Sequence, residues 1–392
     1  MGTAVLEKPV EEVTVDLGSL VGTALRDRKS NGRIRPWVGH KGEQEKYVDR
    51  LEFLEPIIRK EAQQAKRDHL PAPRRYGLTS STMNSVRYCG DLLYFDQYAD
   101  GHQQLKNAYF CHRRLCPMCA WRRSLKNMVY LSLILTEAVE REPKGKFVFL
   151  TLTEKNCDFS DLHDVLAEQS KALRRMMRYV RVDRAVLGYV RTTEVTVNLK
   201  SWTFHPHIHL LLMVKSSYFT KSYIKKDDWI QLWRKARKLD YDPSISIEKV
   251  KSSEKDPSLV AAAKEVGKYQ TKPGSYLSED FSRDVRVLDK LEDGLYRSRL
   301  LSYGGLLAQC RKDLDLEDDE DSEDLVTFEQ KAKLEELSVP VKTVLYLWQR
   351  YAQNYVAVEE LDPDSEEANP KNPYKDVINE TCFLRYGGKN FD

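Results

Sequence analysis

The chain of 392 residues has no apolar run able to cross a bilayer: a stretch such as Leu210–Val214 is far short of the ~20 residues a spanning helix needs. Met1–Leu20 is interrupted by Glu, Lys and Asp, so it lacks the unbroken apolar core of a secretory signal. No internal repeat is visible. With 41% hydrophobic and 31% charged residues the chain is neither a fibrous array nor a disordered tail. What remains is a soluble protein of two to three domains at the usual ~100–200 residues each, expected in the cytosol.

Cysteine and histidine are scarce, at seven and eight residues, but both are concentrated. Three of the cysteines fall between Cys111 and Cys119, and an odd total crowded in this way favours metal binding over disulfides in a reducing compartment. Net charge is also unevenly distributed. The overall +3 divides into a basic body, +14 over residues 1–310, and two acidic parts. Residues 311–324 set nine acids against Arg311 and Lys312, and residues 325–392 set twelve acids against eight bases. A basic body suits a polyanion, because each phosphate neutralised by Lys or Arg releases counterions. The acidic run from Asp313 to Asp324 reads as a solvated linker, a DNA-mimicking role being the less favoured reading.

Residues 1–40 are read as mostly flexible, and apolar spacing predicts a helix over 44–67 and another over Trp121–Glu140. Then the period changes. Lys146–Thr153, Leu187–Asn198, Phe204–Val214 and Ile245–Val250 read as strands, with helices over Ser160–Tyr179 and Asp227–Lys238 between them. The order βαββαβ predicts an α+β, ferredoxin-like antiparallel sheet, helices on one face and the other free for a ligand. Pro257 opens a further helix through Tyr269, ended by Pro273 and Gly274. In the C-terminal part Val344, Leu345, Leu347, Trp348, Tyr351 and Tyr355 are read as one face of a helix that packs on the body or mediates self-association.

Phe204-His205-Pro206-His207-Ile208-His209-Leu210 lies on a predicted strand, where alternation sends His207 and His209 to one face and Ile208 to the core. A turn near Lys200 and Ser201 sets Glu194 of the preceding strand opposite His207. Two imidazoles and a carboxylate on one face suit Mn²⁺ or Mg²⁺ bridging to phosphate, though imidazole also accepts Zn²⁺ or Co²⁺. The plainer reading is a polar surface stripe, which three histidines within five residues disfavour. His205, before Pro206, is assigned a supporting hydrogen bond. In Lys264–Lys272, helical spacing places Glu265 and Tyr269 one turn apart, with Lys272 on nearly the same face. A tyrosine facing a bound phosphate can be a nucleophile, a glutamate can activate water, and a lysine can offset phosphorane charge. With 21 tyrosines in the chain, that helix alone proves little.

Cys111, Cys116 and Cys119 form a C-x4-C-x2-C knuckle, and a fourth ligand is required for zinc. Cys89 is the first candidate, ahead of His112 and His102; an iron–sulfur centre on three thiolates stays open. Cys157, Cys310 and Cys382 read as packing residues, and Arg113, Arg114, Arg122 and Arg123 as phosphate-gripping or solvating cations around the knuckle.

Taken together, F-C-H-R-R-L-C-P-M-C-A-W-R-R, T-L-T, T-E-V-T, F-H-P-H-I-H and E-V-G-K-Y-Q-T-K, in this order, resemble the rolling-circle plasmid replication initiators of the HUH endonuclease superfamily. The resemblance spans residues 89–272. It implies a zinc-bearing single-tyrosine nicking enzyme of the bacterial cytoplasm, with an HUH core over 144–310 and a zinc module over 81–143. The flanks are then an N-terminal region over 1–80, an acidic linker over 311–324 and a helical region over 325–392. It implies that His207, His209 and Glu194 hold Mn²⁺ or Mg²⁺ and that Tyr269 forms a covalent 5′ link to plasmid origin DNA. Glu265 resembles the glutamate that activates water at termination, Lys272 a catalytic cation and Lys268 a DNA contact. Cys89, Cys111, Cys116 and Cys119 are the implied zinc set. Implied partners are origin DNA, a host helicase, a single-strand-binding protein and a second copy of the chain. Tyr276, past the Pro273-Gly274 break, is the weaker nucleophile candidate. The competing readings are an inactive zinc-dependent DNA-binding regulator and a relaxase or transposase on the same scaffold.

Overall fold

The structure is a computed structural model that describes residues 21–29, 31–77, 80–250, 266, 273–316, 325–326 and 339–370. The chain divides into two bodies, each assembled from separated stretches. The first takes Met1–Gly39, Tyr88–Tyr109 and Lys333–Asp392; the second takes His40–Arg87 and Phe110–Ala332.

The first body is built on a four-stranded antiparallel sheet. Its strands are β1 (Leu92–Gln97), β2 (Gln103–Ala108), β9 (Lys342–Gln349) and β10 (Asn354–Leu361), in the order β10-β9-β1-β2. Leu92, Tyr94, Leu345 and Leu347 make a small core there. Tyr355 is fully buried and donates its hydroxyl to the Gly90 carbonyl at 2.6 Å. The predicted C-terminal helix is therefore corrected: Val344, Leu345, Leu347 and Trp348 lie on β9 and Tyr355 on β10, with Tyr351 in the turn between them. Val344 through Trp348 is an unbroken apolar run, which fits a fully buried strand and a buried helix equally well until length and β-rich composition are weighed. The N-terminal stretch is also less free than expected, since Ala24 bridges to Val356 and Trp37 Nε1 donates to Asp27 at 2.8 Å.

In the second body the predicted order appears. β3 (Lys146–Leu152), α4 (Leu162–Met177), β5 (Val186–Asn198), β6 (Thr203–Val214), α6 (Lys226–Arg237) and β7 (Ile245–Lys249) form the ferredoxin-like unit. The sheet runs β7-β3-β6-β5-β8, all pairs antiparallel, with β8 (Leu301–Gly305) added beyond β5 and the short β4 (Cys157–Asp158) on the end of β6. Of the remaining helices, α1 (Trp37–Arg67) has all but its first three residues in this body, and α2 (Ser80–Arg87), α3 (Pro117–Arg141), α5 (Val180–Ala185), α7 (Phe281–Gly294) and α8 (Leu306–Asp313) lie within it.

Strand alternation decides which helices go where. Ile208, Leu210 and Leu212 face α4 and α6, where Trp229 and Trp233, one turn apart, are fully buried against them. Each such side chain contributes about 1.5–3 kcal/mol by leaving water. The opposite face is not free along its whole length, as the sequence had implied. Leu211 and Met213 pack with Tyr130, Ile134 and Ala138 of α3 and Leu307 of α8. The residues of β6 on this face read His205, His207, His209, Leu211, Met213, so chemistry changes halfway along one strand, and among the described residues it is the apolar half that takes a helix.

Candidate active site

Glu194 is paired with His207 across the β5–β6 ladder, in the register expected from the turn. That turn, Leu199–Trp202, is fixed by Asn198, whose side-chain oxygen accepts from the backbone N–H of Lys200 at 3.0 Å and of Ser201 at 3.3 Å. His209 Nε2 lies 3.2 Å from Glu194 Oε2, and its Nδ1 lies 3.2 Å from Thr151 Oγ1 on β3. His207 stacks on His209 with ring centroids 6.0 Å apart and planes at 12°, and Thr196 Oγ1 is 3.4 Å from its Nε2. The carboxylate thus pairs with His209 in preference to standing equidistant from both rings. His205 meets His207 edge to face at 4.2 Å. Thr151 and Thr196 belong to the T-L-T and T-E-V-T motifs but have no role assigned from sequence; the signal for one was register, since Thr151 is the β3 partner of His209.

Burial holds His207 neutral, pushing its pKa down to about 4, with the neighbouring imidazoles adding to the shift and Glu194 opposing it. A neutral imidazole keeps the lone pair that a metal ion needs. Two buried polar atoms on this face, His205 Nδ1 and Thr192 Oγ1, have no hydrogen-bond partner among the described residues. Two imidazoles and a carboxylate on one face are donors of the kind a divalent cation takes, but among the described residues only the four cysteines stand close enough together to share one ion.

The cysteine knuckle is local to residues 89–119. Gly90 N–H donates to the Tyr109 carbonyl at 2.8 Å at the open end of the β1–β2 hairpin, so the chain on either side brings Cys89 toward Cys111. Cys116 then caps α3 ahead of Pro117, and the first turn of that helix returns Cys119. The sulfurs of Cys89, Cys111, Cys116 and Cys119 all lie within 4.8 Å of one another, those of Cys111 and Cys119 at 3.7 Å. Cys89, Cys116 and Cys119 are fully buried. Such a quartet can hold a metal ion such as zinc.

Of the arginines around it, Arg122 is 1% exposed and donates from Nε to the Leu325 carbonyl at 2.8 Å and from Nη2 to that of Val326 at 3.2 Å. It belongs to the interior and not to a DNA-facing surface; helical position alone did not separate it from Arg123, whose Nη2 donates to the His112 carbonyl at 3.0 Å. Arg113 and Arg114 are half-buried near Glu292, whose carboxyl burial pushes up and these two cations pull back. Glu292 also accepts the hydroxyl of the buried Tyr47.

Tyr269, Glu265, Lys272 and Lys268 lie outside the described residues, as do Cys382 and most of the acidic run. Tyr276 is described and fully buried, with its hydroxyl donated to the Leu115 carbonyl at 2.8 Å and its pKa raised well above the usual phenol range by burial. It is a structural post for the knuckle. Tyr276→Phe is expected to cost about 1–3 kcal/mol by leaving a buried carbonyl unpaired, measured by denaturant unfolding.

No helix among the described residues is long and apolar enough to cross a membrane. A ferredoxin-like sheet with a His-x-His strand, in a chain that also carries a four-cysteine cluster, is the HUH-type core of a mixed α+β protein. The Rep_1 model, described as Replication protein, matches residues 102–356, and the chain belongs to that family. It is 40% identical over 336 residues to "Protein rep" of Lactiplantibacillus plantarum, covering 84% of this chain and 98% of that one. "Protein rep" of Streptococcus pneumoniae is 36% identical, covering 84% and 94%. "Replication protein" of Staphylococcus aureus is 34% identical over 239 residues, covering 60% and 100%. No solved structure matches the chain.

Proposed function

We propose that this replication protein initiates rolling-circle replication of a plasmid by cutting one strand at the origin. The observation that carries the reading is the pairing of Glu194 with His207 on the histidine half of β6, with His209 hydrogen-bonded to the same carboxylate. His207, His209 and Glu194 would hold the cation, which would supply charge neutralisation at the scissile phosphate. The Tyr269 hydroxyl attacks phosphorus, the bond from phosphorus to the 3′ oxygen breaks, and the proton lost by the phenol goes to that oxygen. The products are a 5′-phosphotyrosine link and a free 3′ hydroxyl. The link conserves a phosphodiester, so ends rejoin without a nucleotide cofactor. Glu265 draws a proton from water when the covalent protein is released, Lys272 offsets charge in the transition state, and Lys268 contacts the strand.

Zinc on Cys89, Cys111, Cys116 and Cys119 stabilises the knuckle, and Arg113, Arg114 and Arg123 serve the DNA backbone. A cytoplasmic setting, with a host helicase, single-strand-binding protein and a second copy of the chain as partners, completes the reading. It is tested by incubating the protein and Tyr269→Phe with single-stranded fragments of its own replicon, with Mn²⁺ or with chelator, and looking for SDS-resistant adducts. An adduct that needs both Tyr269 and the cation is expected. Tight binding that never yields an adduct replaces this reading with a zinc-dependent DNA-binding regulator.

A further inference from the structure

We infer that the second body carries a phosphate-binding pocket on the face of the sheet opposite the histidines, and that it grips the backbone of duplex DNA. The inference rests on the reading of the chain as a DNA-handling initiator. The cavity, about 250 Å³, lies between α4, β5 and the segment leading into β8. Its lining holds Lys171, Arg174, Arg191, Arg297, Arg299 and His163, and no Asp or Glu.

Strand parity separates this pocket from the active site. Thr192 and Glu194 of β5 share the histidine face, so Arg191 and Thr193 point to the other side, toward α4. There Arg191 is 4% exposed, donates from Nη1 to Ser170 Oγ at 2.7 Å, and also donates to the Arg299 carbonyl. Thr193 N–H donates to the Leu300 carbonyl at 2.8 Å, which fixes the segment that bears Arg297 and Arg299. A buried guanidinium is thereby set at the back of the cavity, while the exposed Arg174, Arg297 and Arg299 stand at its mouth.

Two further observations indicate an anion. His163 Nδ1 is buried in the lining with no hydrogen-bond partner among the described residues. Arg297 holds φ at +50°, a left-handed backbone that favours glycine, yet carries a long cationic side chain there. Glu168, outside the lining, pairs with Lys171 at 2.7 Å on the exposed face of α4. With Lys171 answered by Glu168, the remaining arginines gathered around the cavity still repel one another, and an entering anion relieves that repulsion. A phosphodiester meets that need, and a duplex supplies phosphates at fixed spacing beyond the strand held at the histidine face.

The test uses the full chain with Arg174→Ala, Arg297→Gly and Arg299→Ala combined, all at exposed positions, and Arg297→Gly alone. Binding of a short fluorescein-labelled duplex is followed by anisotropy over a salt series. The combined variant is expected to bind about tenfold more weakly at low salt, with a log–log salt slope smaller by about two. Arg297→Gly relieves the positive φ, so its melting temperature does not fall while its affinity does. Adduct formation on a single-stranded oligonucleotide stays at the wild-type rate. An unchanged salt slope overturns the inference, and so does a loss of adduct formation in proportion to duplex binding, which would merge the pocket with the cutting site. Failure of Tyr269→Phe to abolish the adduct removes the nicking reading but leaves these binding results standing.

Discussion

His207→Ala is expected to lower the rate of covalent adduct formation by about 10³-fold at fixed Mn²⁺, the scale on which loss of one preorganised charge-stabilising group is felt. The side chain lies on the half of β6 that α3 does not cover, while its neighbours Ile208 and Leu210 pack on the other face. Truncation therefore leaves the core intact, and unfolding free energy is expected to change by less than about 1 kcal/mol. The loss is expected to be partly recovered at higher Mn²⁺, because Glu194 and His209 remain as a weaker pair of ligands. Glu194→Gln removes the charge but keeps an oxygen near His209, and is expected to fall between wild type and His207→Ala. Measured adduct rates over a Mn²⁺ series decide the matter: a His207→Ala rate within about threefold of wild type at every concentration takes the cation away from this face.

The facing of Glu194 and His207 was legible because it depends on two local facts, period-two alternation and a short turn at Leu199–Trp202, and errors cannot accumulate over so few residues. The βαββαβ order was legible for a similar reason, each element having its own periodicity. What failed was non-local. β9 pairs with β1, so Tyr346 finds Leu93 some 250 residues away in sequence, and nothing near Tyr346 announces that partner. With both neighbours of β9 unseen, an apolar run buried on both faces had no alternation to mark it as a strand. The covering of Leu211 and Met213 by α3 is non-local in the same sense, although the change from histidine to Leu and Met along β6 was available as a signal. Arg122 was misjudged because a cation beside a cysteine knuckle looks alike from sequence whether it meets phosphate or two backbone carbonyls. The helix carrying Tyr269 was read from spacing and resemblance, and it falls outside the described residues.

Removal of zinc, or Cys116→Ser, is expected to lower the midpoint of thermal unfolding by roughly 10 °C. Structural zinc returns much of its binding free energy as folding free energy, and loss of even ~4 kcal/mol shifts a body of this size by about that amount. Cys116 is the most informative position because it carries three connections at once. It precedes Pro117 at the start of α3, it fixes the turn that returns Cys119, and it follows Leu115, whose carbonyl receives the Tyr276 hydroxyl. A serine there replaces a soft thiolate by a hydroxyl that stays protonated near neutral pH and is a poor zinc ligand. Metal analysis is expected to find one zinc per wild-type chain and almost none in Cys116→Ser, with no iron and no visible absorption, which separates zinc from the iron–sulfur alternative. Cys310 serves as the control. It is fully buried in the apolar cluster around α3 and α8, remote in role from the knuckle, so Cys310→Ser perturbs packing but is expected to keep its zinc. Because the thiols must lose protons to bind, zinc affinity is expected to fall as pH falls, and chelator strips the protein more readily in acid. A chelated wild-type protein that melts at the same temperature as the untreated one would show that four sulfurs within 4.8 Å are held together by packing alone.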